Sequence, residues 1–598
     1  MITDRTGDLA PVTPSDTLPA STPASTPAPT PAPRAGGRRL RWMATAALLV
    51  LAALPAVAGL VDLWQDRGRP FLLTGDHAFF TLVVDAVGQH EVLLGPYSRF
   101  DWYHPGPMAA WLLAGAYFLM DDAMQALPAG ALLINGVSAA AAVWVVRRRA
   151  GLVAGAWALL ALVLTLQTVG DGFLRDPWNP YLPVLPFLAG VLLCWTAVRG
   201  DAWALPLAVV PLSLAAQSHV GFLPPVAAVG AVLVAGLLLR GLLRWRRRPV
   251  VAVDGAPEPV RRPRRWVFAG LLAVAVGLLL WLPPIIEQLT GTPGNARVLY
   301  DHLLSQSPEQ PAGVSTGLRA VADEFGKLPA HLTGHGVAPS PVLPAGWPTP
   351  AITSGIVAFV VALGVAALRR RGDVLWLGAL TLALAAAGVA AVARIDGWVF
   401  AYLTQWTVVI GILAWTTVGL GLLPELAAVV RRGVAPGRRS LSPGTVIGVP
   451  VAALATAAVL VTAARVAGAE VTWSDRDGHV AELGEAVVAD LTRSGLRTGA
   501  DQPVVRVDMA PTTEPVIVGT VEPGAGLVLA LYRAGIDVQV DEGWRIPFGE
   551  RFTERPEEAG YVVTVAYADG SSPPPQPWQR VLAAEGEFEV YGGVPPVG

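Results

Sequence analysis

About eleven apolar segments of roughly twenty residues recur along this chain, and each is long enough to cross a membrane as a helix. The composition agrees, since 53 % of the residues are hydrophobic, 15 % are charged and the mean hydropathy is +0.50. The pattern therefore predicts an α-helical polytopic membrane protein. The first segment is too long for a signal peptide and lacks an A-x-A ending, so we expect a retained helix. The predicted spans are residues 42–64, 128–146, 151–169, 181–198, 202–218, 220–239, 266–286, 351–369, 374–393, 398–422 and 445–466.

Arginine clusters predict the orientation of these helices in the plasma membrane. Cytoplasmic loops carry an excess of Lys and Arg, and a chain threaded from a cytoplasmic N-terminus keeps every cluster inside only if 104–120 does not cross. We therefore predict that 104–120 re-enters or lies on the outer leaflet. The same threading leaves outer loops at 65–127 and 287–350 and places all 8 histidines outside. The arginine clusters are at 147–149, 240–248, 261–265, 369–371 and 431–439.

The two ends of the chain differ from its apolar middle, residues 38–466. Residues 1–37 are rich in Pro, Thr, Ser and Ala, which predicts a disordered cytoplasmic tail. Residues 467–598 contain helix-like stretches (AELGEAVVADLTRSGL, AGLVLALYRAG) and strand-like stretches (VVRVDM, DVQV, YVVTVAYA, EFEVYG). We expect a small soluble α/β domain on the extracytoplasmic side, tethered by the last membrane helix.

Several classes of function are excluded by what the sequence lacks. Its one cysteine, Cys194, lies in an apolar segment, so neither a disulfide framework nor a cysteine-based metal site can form. There is no HExxH, no GxxxxGK[ST] and no GxGxxG between a strand and a helix. The net charge of -2 implies no general attraction to nucleic acid.

The first outer loop carries the densest set of polar side chains. Asp76 begins a helix there, and an Asp at that position often caps free backbone N–H groups. The alternative is a catalytic carboxylate, because carboxylate, Arg and His together suit deprotonation of a hydroxyl beside an anionic leaving group. The other candidates for substrate binding in this loop are His77, Arg99, Asp101 and His104.

A short N-terminal helix followed by a long outer loop with an early acidic residue resembles GT-C membrane glycosyltransferases. HPGP at 104–107 resembles their His/Lys-Pro-x-Pro-like element, which precedes a juxtamembrane helix. The resemblance covers 42–466 in topology and about 74–107 in motif. It implies a polyprenyl-phosphate sugar donor, transfer on the outer face, and Asp76 as general base or metal-linked carboxylate. That family often has acidic pairs where His77 follows Asp76 here, so a divalent metal is left open as the cofactor.

Other outer segments add candidates, each with a simpler structural explanation. DGFLRDPWNPYLP offers an Arg for a lipid phosphate and two side chains for sugar hydroxyls, although Asp-Pro and Asn-Pro also make ordinary turns. Polar groups between two apolar helices serve either a cavity or a hydrogen bond between helices. The substrate-binding candidates of these segments are Arg175, Asp176, Asn179, Gln217, His219, Glu287 and Arg394.

These observations favour one function and leave two rivals. The favoured function is transfer of a sugar from a polyprenyl-phosphate donor to a glycan, lipid or protein acceptor of the cell envelope. Such a donor needs no nucleotide site, in agreement with the missing phosphate loop. A transporter or flippase would favour broken helices at mid-membrane and an internal repeat. A non-catalytic scaffold that presents the C-terminal domain is the other rival.

Overall fold

The protein is described here from a computed structural model. The described residues are 35–66, 72–121, 123–246, 264–305, 310–335, 349–433, 443–471, 477–496, 502–511 and 519–596. The contacts discussed below lie within one compact unit, Thr45–Gly598. The predicted disordered tail falls outside the described residues up to position 34, and the first helix already begins at Ala35.

Helices dominate the structure. In chain order they are α1 (Ala35–Gln65), α2 (Gly75–Asp85), α3 (Met108–Leu119), α4 (Ala126–Ala150), α5 (Leu152–Leu166), α6 (Val184–Val198), α7 (Ala204–Ser218), α8 (Leu223–Arg246), α9 (Arg264–Thr290), α10 (Asn295–Tyr300), α11 (Gly313–Leu332), α12 (Pro350–Leu368), α13 (Gly372–Ala393), α14 (Ala401–Thr404), α15 (Val408–Gly433), α16 (Pro443–Val466), α17 (Asp477–Arg493), α18 (Val521–Arg533) and α19 (Arg545–Phe548).

Each segment predicted to span the membrane contains a helix, although the one at 398–422 is interrupted before α15 begins at Val408. In the described part of the chain, 8 helices are long and apolar enough to cross a membrane. Helices α5, α6 and α7 are equally apolar but have 15 residues each, a length of about 22 Å at 1.5 Å per residue. The polytopic helical class is confirmed, whereas eleven crossings remain a prediction.

Small residues let the membrane helices approach one another closely. A Cβ placed on Gly136 of α4 would lie 2.8 Å from the Cβ of Ala56 in α1, a spacing typical of helix packing in lipid. Gly151, with φ +97°, makes the tight turn between α4 and α5. Trp195 and Leu384 are among the side chains buried at the centre of the bundle.

Ion pairs gather at one end of the bundle. Asp373, at the start of α13, accepts hydrogen bonds of 2.7 Å from both Arg149 and Arg199. Glu425 of α15 pairs with Arg371 at 2.5 Å. Arg149 and Arg371 belong to clusters that the sequence predicts to be cytoplasmic, and Arg199 follows a predicted span that ends on the same side. The fold brings the three to the same end, which we call the arginine end.

The opposite end, which we call the polar end, collects the histidines and carboxylates of the predicted outer loops. Gln167 at the end of α5 lies 2.9 Å from His331 of α11, and Asn179 donates to the carbonyl of Ser218 at the end of α7. The arginines of the predicted cytoplasmic side therefore lie at one end of the bundle, and the histidines and carboxylates of the predicted outer loops lie at the other end. Which membrane side each end faces remains a prediction from the charge bias.

Helix α3, the segment predicted not to cross, has both of its ends at the polar end. Before its start, the N–H of Gly106 donates to the carbonyl of Gln217 (3.1 Å). Near its end, the Tyr117 hydroxyl contacts Asp85 of α2 (3.3 Å) and Arg533 of α18 (3.0 Å). Its outward side chains are apolar, with Leu119 87 % exposed. This placement agrees with a helix on the outer leaflet.

We expect a cysteine at position 121, just after α3, to react with an impermeant maleimide applied to intact cells. The chain for this experiment is Asp121→Cys with Cys194→Ala, which removes the native thiol. Arg432→Cys in the same background is the matched control, since it lies at the arginine end and should react only after permeabilisation. The reverse labelling pattern would contradict the topology.

The strands comprise a short hairpin in the first loop and one sheet near the C-terminus. The hairpin strands β1 and β2 are antiparallel, and in the sheet, of order β4-β3-β5-β7-β6, β3 is parallel to β4 and β5 while β7 is antiparallel to β5 and β6. With α17 and α18 this is the predicted α/β fold, and β6 is an addition that the sequence analysis did not identify. The strands are β1 (Tyr97–Ser98), β2 (Trp102–Tyr103), β3 (Val504–Met509), β4 (Val538–Gln539), β5 (Ala559–Tyr567), β6 (Arg580–Glu585) and β7 (Phe588–Gly593).

The C-terminal sheet domain packs directly on the first outer loop. One hydrophobic core contains side chains of α2 and α3 together with side chains of α17, α18 and the sheet. Phe79 of α2, for example, meets Phe548 of α19 edge-to-face with ring centroids 4.7 Å apart. The domain is therefore held by this shared core as well as by its covalent link to α16.

Candidate active site around Asp76

Asp76 lies in the first turn of α2 without serving as its N-cap. The N-cap position belongs to Thr74, whose backbone is extended. The Asp76 carboxylate instead accepts a hydrogen bond of 2.9 Å from the hydroxyl of Tyr97 in β1. The capping role considered from sequence is thus not the role that these contacts give it, although a negative charge in a first turn remains favourable to the helix dipole.

The Asp76 carboxylate is accessible to solvent and yet closely surrounded by protein. Asp76 is exposed, whereas both of its neighbours in α2 are buried. Burial in the surrounding protein is the largest influence on its pKa and raises it, while Tyr97, His77 and Trp178 act in the opposite direction. The carboxylate is therefore densely surrounded by protein atoms and still reaches solvent.

Aromatic side chains from three separate segments surround this carboxylate. Tyr97 comes from β1, Trp178 from the connection between α5 and α6, and Tyr402 from α14, with the Trp178 and Tyr402 rings 4.9 Å apart. The charge of Asp76 acts on both tyrosines. Burial and this charge raise the pKa of Tyr97, so its hydroxyl stays protonated as a donor. We call this cluster of Asp76, Tyr97, Trp178 and Tyr402 the recess.

Arg99 provides positive charge beside the recess. It lies in the turn between β1 and β2, and its guanidinium carbon is 4.9 Å from the ring centroid of Phe100 and 5.4 Å from that of Phe400. Its charge also acts on Tyr402. Among the described residues no carboxylate is paired with Arg99, and its side chain is exposed. A guanidinium held by ring faces keeps its hydrogen-bonding edge free for an anion.

His77 and Asp176 join the first outer loop to the connection that carries Trp178. The Nε2 of His77 lies 2.8 Å from an Asp176 carboxylate oxygen, which also accepts the backbone N–H of Trp178 at 2.9 Å. Asp176 is fully buried and His77 nearly so. The fold therefore brings these two predicted residues together, in a contact that fixes Trp178 beside Asp76.

His104, His219 and Gln217 lie behind the recess in a buried group. The two imidazole centroids lie 4.5 Å apart with the ring planes tilted by 36°, and each Nδ1 accepts a backbone N–H, from Val220 for His104 and from Gly221 for His219. Burial, with a smaller contribution from His219, lowers the pKa of His104 well below its usual value. Each ring is therefore neutral and accepts a hydrogen bond from a backbone N–H. The His104 contact also joins the HPGP loop, residues 104–107, to Val220.

The remaining predicted residues are engaged in structural contacts. Arg175 pairs with Asp62 of α1 at 2.8 Å and also donates to the carbonyls of Val466 and Ala469, so its guanidinium is 4 % exposed and not directed to a ligand. Glu287 accepts the backbone N–H of Asn295.

The last two predicted residues are exposed. Arg394 donates to the carbonyl of Leu303. Asp101 occupies the hairpin turn with φ +58°, a conformation that Asp and Asn tolerate better than most residues.

A divalent metal remains a prediction. In the described part of the chain no three His, Cys, Asp or Glu side chains converge in a way that would hold a metal ion. Asp76 offers oxygen ligands, which suit Mg²⁺ or Mn²⁺, whereas His77 is engaged by Asp176. A cation bound here would depend on substrate oxygens or water for most of its coordination.

Four residues of this site were missed by the sequence analysis, and Tyr97, which bonds Asp76, is one of them. Tyr402 and Phe400 fall inside a segment predicted as one continuous span, 398–422, but the long helix α15 begins only at Val408. Trp178 was not selected, although it lies in the segment DGFLRDPWNPYLP beside three residues that were. A local signal existed for 398–407 alone, where four aromatic residues and Gln405 interrupt the apolar run before α15.

The fold is similar to that of solved membrane transferases. The crystal structure of ArnT from Cupriavidus metallidurans in the apo state has a TM-score of 0.50 and 15 % identity, and the match covers 92 % of this chain and 98 % of that chain. An oligosaccharyltransferase of Archaeoglobus fulgidus matches with a TM-score of 0.41, 13 % identity and coverage of 87 % and 69 %. The arabinofuranosyltransferase AftD from Mycobacteria matches with a TM-score of 0.35, 14 % identity and coverage of 93 % and 41 %.

No protein-family model and no curated protein sequence matches the chain. The likeness to ArnT extends over nearly the whole of both chains. It confirms the prediction of the GT-C fold. At 15 % identity the likeness to ArnT concerns the fold alone.

Proposed function

We propose that this protein is a membrane glycosyltransferase that moves a sugar from a polyprenyl-phosphate donor to an acceptor hydroxyl of the cell envelope, on the outer face of the plasma membrane. The observation that carries the proposal is that Asp76, an accessible carboxylate with a raised pKa, and Arg99, an exposed guanidinium, both lie near Tyr402. A base and a cation placed this way suit displacement of an anionic leaving group by a hydroxyl.

The reaction follows from these side chains. The acceptor hydroxyl oxygen attacks the anomeric carbon of the donor sugar, and its proton passes to an oxygen of Asp76. The bond between that carbon and the phosphate oxygen breaks, and its electron pair leaves with polyprenyl phosphate. The guanidinium of Arg99 neutralises the charge that grows on the phosphate. A single displacement of this kind inverts the configuration at the anomeric carbon.

The hydrogen-bonding of Asp76 is matched to this role. A carboxylate in a poorly solvated recess is a stronger base than one in water, because burial disfavours its charged form. Tyr97 donates to one oxygen at 2.9 Å and Trp178 also donates a side-chain hydrogen bond to the carboxylate, so the acceptor hydroxyl would approach Asp76 from its solvent-exposed side. A raised pKa brings the base closer to the operating pH, where general-base catalysis is most effective.

The aromatic side chains suit the sugar. The faces of Trp178 and Tyr402 line the recess beside Asp76, and aromatic rings provide flat, rigid contact surfaces at low cost in conformational entropy. Phe400 stacks on Tyr402 with ring centroids 5.9 Å apart, which extends this surface towards Arg99. We assign the surface to the donor sugar, and the identities of the sugar and of the acceptor are left to experiment.

The proposal is tested with the full-length chain reconstituted in lipid nanodiscs. A lipid fraction of the source organism, enriched in polyprenyl-phosphate sugars, is the donor, and an envelope fraction is the acceptor. We expect the protein to release free polyprenyl phosphate, detected by mass spectrometry, only when both fractions are present. Movement of intact donor across the bilayer without release of the sugar would favour a flippase and contradict the proposal.

A further inference from the structure

The C-terminal domain contacts α2, the helix that carries Asp76, at both of its ends. At its start, Gly526 of α18 approaches Thr74 so closely that a Cβ would meet the Thr74 methyl at 2.8 Å. At its end, the Tyr532 hydroxyl donates to Asp85 at 2.8 Å, and Arg551 donates to the carbonyl of Leu82 at 2.9 Å. The orientation of α2 therefore depends on a domain more than 400 residues further along the chain, as the separation of 447 between Asp85 and Tyr532 shows.

One line of contacts leads from this domain to the carboxylate. Phe548 packs edge-to-face on Phe79 with centroids 4.7 Å apart, and Phe79 packs edge-to-face on Tyr97 at 5.0 Å. The hydroxyl of Tyr97 then donates to Asp76. Phe79 is 2 % exposed and Phe548 is 5 % exposed, so neither ring has room to move without repacking its neighbours. Edge-to-face pairs also have a preferred geometry, which fixes direction as well as distance.

We propose that the C-terminal domain positions the base of the reaction through this line, with Phe548 holding Phe79, Phe79 holding Tyr97, and Tyr97 holding the carboxylate of Asp76. The inference rests on the function proposed above for Asp76. It makes Phe548 and Phe79 positioning residues and gives the sheet domain a part in catalysis beyond covering the site. Tyr97 contacts the reacting group itself.

The charged and titratable groups around Asp76 come from several elements. His77 lies on the same helix, Tyr97 on β1 and Tyr402 on α14. Glu522 of α18 lies against Gly75, where a Cβ would be 3.1 Å from its Cγ. Of these groups, Tyr97 is the one that Phe79 touches. A change in the line from Phe548 should therefore reach Asp76 chiefly through the Tyr97 hydrogen bond, because the contacts of Tyr532 and Arg551 still hold α2 in place.

The direction of the expected pH shift follows from the hydrogen bond that Tyr97 donates to Asp76. Tyr97 stabilises the charged form of Asp76 and so lowers its pKa against the larger effect of burial. The activity requires the deprotonated base, so it rises with pH through the pKa of Asp76. Loss of the hydrogen bond raises that pKa, and the rising limb of the pH–rate profile shifts to higher pH, by about one unit for a charge-assisted hydrogen bond.

The experiment measures kcat/KM against pH for the full-length protein in nanodiscs, with Tyr97→Phe, Phe548→Leu and the double variant. We expect both single variants to shift the rising limb to higher pH. The double variant should shift it no further than Tyr97→Phe does alone, since coupled residues are not additive. The matched control is Tyr561→Phe, which removes a buried hydrogen bond to Asp490 inside the same domain. Tyr561→Phe should lower the stability of the C-terminal domain without shifting the rising limb of the pH–rate profile.

The outcomes separate the inference from the function on which it rests. Suppose that Tyr97→Phe shifts the rising limb of the pH–rate profile and Phe548→Leu does not. The C-terminal domain then does not act through Tyr97, and the inference is overturned. Additive shifts in the double variant overturn it as well. An inactive Asp76→Asn variant, measured alongside, keeps the proposed function standing in both cases. A fully active one overturns the proposed function and the inference together.

Discussion

Asp76→Asn should reduce transfer about 10²–10⁴-fold, the usual cost of losing a general base, while the amount of protein in the membrane stays unchanged. An amide cannot take the acceptor proton at neutral pH. It can still accept the hydrogen bond from Tyr97 through its oxygen, so the local structure should persist. The measurement is single-turnover transfer with saturating donor, which separates the chemical step from binding.

Asp101→Asn is the matched comparison for that experiment. The substitution is the same and the residue lies in the same outer loop, at a turn position with φ +58° that Asn adopts as readily as Asp. We expect activity close to that of the unmodified protein. If Asp101→Asn loses activity and Asp76→Asn keeps it, the base is Asp101 and the assignment of Asp76 is wrong.

Arg99→Gln should lower kcat/KM for the donor roughly 10²–10³-fold, the range seen when a group that stabilises developing negative charge is removed. Glutamine keeps a polar side chain of moderate length but carries no charge to offset that of the leaving phosphate. Arg99→Lys should recover part of the activity, since it restores the charge without the planar fork that stacks on Phe400.

Arg297→Gln is the control for the Arg99 series. Arg297 is also an exposed arginine of an outer segment, and it pairs with Asp301 one turn further along the chain, an interaction worth little at a surface. Its loss should leave kcat/KM unchanged. An Arg99→Gln variant that transfers sugar within about twofold of the unmodified rate would show that the phosphate is neutralised elsewhere.

The sequence predicted those parts of the molecule that are determined by local composition. An apolar run of about twenty residues has few alternatives to a membrane helix, and the arginine clusters marked one end of each helix correctly enough that Arg149, Arg199 and Arg371 meet at the arginine end. The segment VVRVDM was predicted as a strand and is β3 with the same bounds. Asp76 was selected because its position in the first loop resembles that of the acidic residue of the GT-C family.

The parts that escaped prediction depend on contacts between distant segments. Nothing local in Arg175 reveals that Asp62 and the end of α16 would surround it, so it looked like a phosphate ligand. Tyr402 belongs to the recess only because α14 is brought beside Trp178. The packing of the C-terminal domain on α2 could not be predicted from the sequence either, because it depends on shape complementarity across the shared core.

The most direct test of the central claim is the fate of the donor lipid in cells of the source organism that lack this protein. If the protein consumes a polyprenyl-phosphate sugar, one such lipid should accumulate in the deletion strain, as measured by mass spectrometry of lipid extracts. Its level should return to normal when the unmodified gene is restored and stay high with Asp76→Asn. Extracts with the same polyprenyl-phosphate sugars in the deletion strain and its parent would contradict the account.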